Sequence, residues 1–163
     1  MDDPTQVRRA TPVDAAPLAA CHAACWREAY TGLIAEEVIE ARHGDLVRRA
    51  RRWEQILAGE APTWVGVDGH EVVGFASTGP PRDEEVSHLA ELYGLYLRAS
   101  RYGTGLADRL VQPLIGDAPA FVWVLDPNPR AQAYYAKIGF RPDGASKTDP
   151  ELGGAREIRM VRP

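Results

Sequence analysis

The chain has 163 residues, 45% of them hydrophobic, enough for one sizeable core but too short for two ordinary domains and a linker, so residues 1–163 read as a single domain. A formal charge of -4 offers no surplus of lysine and arginine to nucleic-acid phosphates and suits a small cationic partner better. No run approaches the roughly 18 consecutive apolar residues that cross a bilayer, and the opening residues lack the pattern of a secretion signal, so no membrane partner and a cytoplasmic location are expected.

Gln6 to Ala10 has the pattern of a short first strand. Thr11-Pro12-Val13-Asp14 follows with a capping hydroxyl and a proline at the first helical position, which predicts a helix running to about Tyr30. Cys21 and Cys25, the two cysteines of the chain, stand four apart and share a face of that helix. His22 and His43 are near in sequence, but the ligand spacings of zinc modules are missing. The cysteines therefore read as small buried hydrophobes, and no metal is expected. Between Ile34 and Ala58 further helical segments are predicted, broken near His43-Gly44. In them Leu46, Val47, Ala50, Trp53 and Leu57 make an apolar stripe, and Arg48, Arg49, Arg51 and Arg52 a solvated face. Thr63 to Val67 and Glu71 to Ser77 are β-rich and joined through Asp68-Gly69, a hairpin signal. His88 to Leu97 reads as a long strand and Gly105 to about Gln112 as a helix that Pro113 should kink or end. Phe121 to Leu125 follows as a strand, Pro129 to Lys137 as a helix, and the segments from Phe140 and from Glu157 to Val161 as the last strands. Helices alternate with strands only in the second half, which predicts an α/β fold on a mixed sheet rather than a doubly wound one.

Leu92 to Leu97 is followed closely by Tyr102-Gly103-Thr104-Gly105-Leu106-Ala107 and then by the apolar positions Leu110, Val111 and Leu114: strand, glycine loop, helix. The first turn of a helix exposes backbone N–H groups without internal partners, and the peptide dipoles add partial positive charge there. Glycines let a phosphate approach such a site closely. A P-loop would end in Gly-Lys-Ser/Thr, which is absent. A dinucleotide fingerprint wants a third glycine where Asp108 stands. Asp126 nevertheless falls about where that motif places its acidic residue, so a dinucleotide-dependent oxidoreductase stays open on the turn alone.

The second motif is longer. Asn128-Pro129-Arg130-Ala131-Gln132-Ala133-Tyr134-Tyr135-Ala136-Lys137-Ile138-Gly139-Phe140 stands just after the strand Phe121 to Leu125. With the glycine turn, it resembles the GCN5-related N-acetyltransferase superfamily, whose second signature reads Asn-x-x-Ala-x-x-(aromatic)-Tyr-x-x-x-Gly-Phe. Asn128, Ala131, Tyr134, Tyr135, Gly139 and Phe140 match it in register. The family's first signature, Gln/Arg-x-x-Gly-x-Gly/Ala, falls on Tyr102 to Ala107, with Tyr102 departing from the usual Gln or Arg. Trp26-Arg27-Glu28-Ala29-Tyr30-Thr31-Gly32-Leu33 also looks like the first-helix segment of some bacterial members, bordering the acceptor pocket.

The resemblance implies a central, mostly antiparallel mixed sheet of six to seven strands flanked by helices. It implies an enzyme moving the acetyl group of acetyl-coenzyme A to a primary amine of a small molecule, amino acid, polyamine or peptide, by direct attack in a ternary complex. A non-catalytic acyl-coenzyme A sensor is the alternative that keeps the grip without turnover. On the family pattern, the cofactor lies along Leu95, Tyr96 and Leu97, next to a strand bulge that Gly94 would suit, along Asn128 and Ala131, and on Tyr102, Gly103, Thr104, Gly105, Leu106 and Ala107. Tyr135 is the implied general acid, since a phenol with an ordinary pKa of about 10 stays protonated at neutral pH. A protonated amine needs a base, and Glu91, six residues before Leu97 where members often carry a glutamate, is the candidate, with His88 second. Trp26 and Tyr30 are the candidate acceptor-pocket walls. A homodimer would be a family habit, with the terminal strands as pairing edges.

Overall fold

Seven strands form one sheet in the computed structural model, which describes residues 3–163. In chain order the elements are β1 (Gln6–Arg9), α1 (Ala15–Tyr30), α2 (Glu36–His43), α3 (Leu46–Ala58), β2 (Thr63–Asp68), β3 (Glu71–Gly79), β4 (Ala90–Leu97), α4 (Leu106–Ile115), β5 (Ala120–Leu125), α5 (Pro129–Lys137), β6 (Arg141–Asp149) and β7 (Ala155–Arg162). The strands lie in the order β1-β2-β3-β4-β5-β7-β6. Every neighbouring pair is antiparallel except β4 and β5, which run parallel as their connection through α4 requires. This is the mixed, mostly antiparallel α/β fold that the sequence predicts.

Apolar residues cover both faces. On one, Leu106, Leu110 and Val111 of α4 pack with Tyr135 and Phe140 against Val73, Leu92 and Val122. On the other, Leu18, Cys21 and Cys25 of α1 and Trp53 of α3 cover Val65 and Phe75. The two cysteines are buried with their sulfurs 3.7 Å apart, the environment of small hydrophobes. Trp26, Ile34 and Ile39 close a smaller cluster on Leu125.

Some local expectations shift. Helix α4 runs two residues past Pro113, because the exposed proline puts the missing hydrogen bond on the solvent side. The stripe of α3 packs from Ala50 onward, while Leu46 and Val47 in its first turn remain 46% and 64% exposed. The β2–β3 turn falls on Gly69 and His70, with Asp68 paired to Glu71 and Gly69 at φ 61°. Of the terminal strands, β1 is a sheet edge, but β7 inserts between β5 and β6 and leaves β6 as the other edge.

Two irregularities make the site. Ser77 pairs with Gly94 and Thr78 with Leu92, so Tyr93 is an extra residue that bulges β4 just before Gly94. The parallel pairing of β4 with β5 stops at Leu92 and Val122. Beyond that point the strands part, and the edge of β4 from Tyr93 to Leu97 faces a cleft instead of a partner.

Candidate active site

The cleft encloses about 810 Å³ and is continuous from Gly103 at one end to Glu157 at the other. Leu95, Tyr96 and Leu97 line it, as do Tyr102, Gly103, Ala107, Asn128 and Ala131. The sheet's parting, rather than any single loop, brings these separate segments onto one wall.

At the first end the chain turns from β4 into α4 through Gly103 and Gly105, with φ of 75° and 85°. These are left-handed conformations that only glycine adopts cheaply, and a Cβ at either position would project into open space. Thr104 donates its hydroxyl to the Arg101 carbonyl at 2.7 Å, and the same oxygen meets the Leu106 N–H at 3.4 Å. The amides of Gly103, Gly105 and Ala107 have no acceptor among the described residues. Thr104 and Gly105 are exposed beside the cleft, and Leu106 is buried in the core, so it can offer only its main chain. An amide-rich, side-chain-free helix start with the dipole behind it fits a diphosphate, and the unpaired edge of β4 fits an amide-bearing arm. The residues present therefore suit coenzyme A.

Asn128 caps α5 by accepting the Ala131 N–H at 3.3 Å. Tyr134 donates its hydroxyl to Asp108 at 3.0 Å, tying α5 to α4 across the cleft. The Arg130 guanidinium lies over the Tyr102 ring, 4.2 Å from its centre, so a cation stands at the mouth although the turn itself carries tyrosine in place of Gln or Arg.

Tyr135, 5% exposed, lines the middle of the cleft from α5. Its ring packs edge-on against Tyr134 and Phe140. Burial, with a contribution from Tyr96, pushes its phenol above the ordinary value, so it holds its proton across the neutral range. Trp26 is 3% exposed and serves both as core and as cleft wall, with Tyr30 stacked edge-on 5.1 Å away. Burial, followed by Tyr96, Tyr135 and Glu157, raises the Tyr30 phenol, and all four residues line the cleft. Glu91 also faces the cleft, 2% exposed and gripped by Arg82. His88 is exposed and lies off the cleft wall.

The far end of the cleft holds side chains that carry no sequence signal. Arg82, Asp83 and Glu84 arrive from the β3–β4 connection, Trp123 from β5, Lys147 and Asp149 from β6, and Glu157 from β7. Alternation along β7 is the trace they leave: Glu157 and Arg159 fall on one face and Ile158 and Met160 on the other, so a charged face points into the protein. Among the described residues no group of His, Cys, Asp or Glu side chains forms a metal site, and no helix is long and apolar enough to cross a membrane.

The model of the acetyltransferase (GNAT) family matches residues 24–140, which take in the cleft's first wall, the glycine turn and the whole Asn128–Phe140 segment. The chain belongs to the acetyltransferase (GNAT) family. The Bacillus subtilis protein named uncharacterized N-acetyltransferase YuaI is 29% identical over 161 residues, covering 92% of this chain and 87% of its own. Among solved structures, the PaiA N-acetyltransferase of Thermoplasma acidophilum in complex with coenzyme A superposes with a TM-score of 0.69 at 18% identity, over 98% of this chain and 99% of its own. The Salmonella typhimurium protein yncA with its cofactor acetyl-CoA gives 0.70 at 17% identity, over 98% and 93%. Both superpositions extend over β1 and β7, which the family model leaves out.

Proposed function

We propose that this protein transfers the acetyl group of acetyl-coenzyme A to a primary amine of a small molecule, amino acid, polyamine or peptide, with both substrates bound at once. One observation carries the reading. A helix start with open amides leads without interruption along an unpaired strand edge to a buried, protonated phenol. Two structures of the same fold hold coenzyme A or acetyl-CoA, which supports the choice of cofactor.

When bound, the thioester supplies an electrophilic acyl carbon and a thiolate leaving group. The chain's residues do the rest. The amides of Gly103, Gly105 and Ala107, with Arg130 at the mouth, hold the diphosphate. The main chain of Leu95, Tyr96 and Leu97 orients the arm, with Asn128 and Ala131 opposite. Tyr135 keeps a proton at its hydroxyl for the departing sulfur. Trp26 and Tyr30 wall the acceptor side and exclude water. A carboxylate beyond Tyr135 accepts the amine proton.

Parallel melting curves test the reading. Acetyl-coenzyme A at about 100 times its Kd should stabilise the protein by about 2.7 kcal/mol, and NADH should not. Thiol release on adding primary amines should follow. Stabilisation by NADH alone would instead favour a dinucleotide-dependent oxidoreductase.

A further inference from the structure

Four glutamates line the cleft; Glu84 and Glu151 are exposed, whereas Glu91 is buried and Glu157 half-buried, and the surroundings of these last two differ. Glu91 has both carboxylate oxygens engaged. Oε2 accepts the Arg82 backbone N–H at 2.8 Å, and Oε1 accepts Arg82 Nη2 at 2.8 Å and Nε at 3.2 Å. Three of the roughly four acceptor sites of the carboxylate are thus taken by Arg82, two of them by its guanidinium on the one oxygen Oε1. What that pair does is local: it holds the Arg82 guanidinium 3.8 Å from the centre of the Tyr93 ring, over the bulge that opens the cleft.

Glu157 is placed otherwise. In the sheet it stands opposite Leu125 of β5 and Lys147 of β6, and it lines the same cleft. Its side chain is 15% exposed and accepts no hydrogen bond from the described residues. The nearest cation, Lys147 Nζ, is 3.9 Å away on a side chain 47% exposed, and it also sits over the Trp123 ring. The charged and titratable groups that share the cleft with Glu157 and act on it are Lys147 and Asp149 from β6, Arg82 from the β3–β4 connection, Tyr30 from α1 and Tyr96 from β4. Burial, helped by Asp149 and opposed by Lys147 and Arg82, raises its carboxyl above the ordinary glutamate value. Tyr30, Tyr135 and Glu157 line the same cleft.

We propose that Glu157 receives the proton of the acceptor amine and that Glu91 is a positioning residue for Arg82. The inference rests on the acetyl-transfer reading above. In the step, the ammonium proton passes to Glu157 directly or through one water, the freed nitrogen lone pair forms the C–N bond, and the nitrogen gives up its second proton to solvent as the amide forms. The C–S bond breaks with its electron pair on sulfur, and the Tyr135 hydroxyl protonates that sulfur. Glu157 then loses its proton to solvent, and Tyr135 regains one from it.

The test has two arms on the full chain. In the first, glutamate carboxyl carbons are labelled with carbon-13 and titrated by NMR, with Glu157→Gln assigning the resonance. The Glu157 signal should titrate clearly above about 4.3, and a midpoint at or below that value overturns the proposal. In the second, thiol release from acetyl-coenzyme A is followed with benzylamine, putrescine and glycinamide from about pH 5 to about pH 9. Glu157→Gln should lower kcat by about 10²–10⁴-fold and abolish the acid limb of kcat/KM, while coenzyme A still raises the melting temperature. Glu91→Gln should keep the acid limb and raise acceptor KM more than it lowers kcat. An acid limb retained by Glu157→Gln overturns the proposal and leaves the acetyl-transfer reading standing. Failure of the wild type with all three amines counts against that reading instead, and the NMR titration still decides Glu157.

Discussion

Arg159 is 4% exposed, yet its guanidinium meets three carboxylates: Asp143 at 2.6 Å, Asp83 at 2.7 Å and Glu85 at 3.0 Å. Asp83 and Glu85 come from the β3–β4 connection, so one β7 side chain pins the segment that carries Arg82 over the cleft. Arg159→Met should cost about 3 kcal/mol in urea unfolding, because Asp83 and Asp143 lose a buried counter-charge, whereas the exposed Glu85 contributes little. Tyr135→Phe should lower kcat by about 10²–10⁴-fold with little change in coenzyme A affinity, and equal turnover would remove Tyr135 from the chemistry. Arg130→Ala should weaken coenzyme A binding by about 1 kcal/mol, roughly fivefold by calorimetry, if its cation serves where the turn lacks one. Residues that act through a local motif were readable in sequence: Gly103, Gly105, Asn128 and Tyr135 each sit in a short run of fixed spacing. Glu157, Arg82 and Trp123 were not, because strand register assembles them from three distant segments and none has a neighbour in sequence that betrays it.

At the scale of elements, the helical layer over β3 hides two histidines. His22 and His43 are 7% and 1% exposed, with ring centres 4.6 Å apart, and neither His43 nitrogen has a partner among the described residues. Burial, then Arg49, Arg42 and Arg27, pushes His43 down to about 3. Burial, then His43, Arg49 and Arg42, holds His22 well below its ordinary value. The folded state therefore binds fewer protons than the unfolded chain below about pH 6.5, and stability must fall as pH drops through that value. Each histidine contributes a slope of about 1.4 kcal/mol per pH unit, so urea unfolding at pH 5.5 should show about 2 to 3 kcal/mol less stability than at pH 7.5. His43→Leu should roughly halve that difference, and a flat profile in the wild type would show that the histidines are not buried as described. Periodicity located α1, α2 and α3 within a few residues, but it could not show which ring each histidine would face.

For the whole molecule, the order of elements was legible and the order of strands was not. Local pattern marks where each strand starts, whereas the insertion of β7 between β5 and β6 depends on pairings between residues far apart in the chain. That insertion shapes the cleft, since it brings Glu157 to the wall away from the glycine turn and sets Arg159 against Asp83 and Glu85 of the β3–β4 connection. A single sheet that is continuous at Leu92 and Val122 and parted beyond them thus serves as both scaffold and binding site. A crystal structure of the protein with coenzyme A tests this most directly. The diphosphate should lie on the amides of Gly103, Gly105 and Ala107, with the sulfur within about 3.5 to 4 Å of the Tyr135 hydroxyl. A diphosphate bound away from that helix start, or a sulfur facing away from Tyr135, would contradict the account.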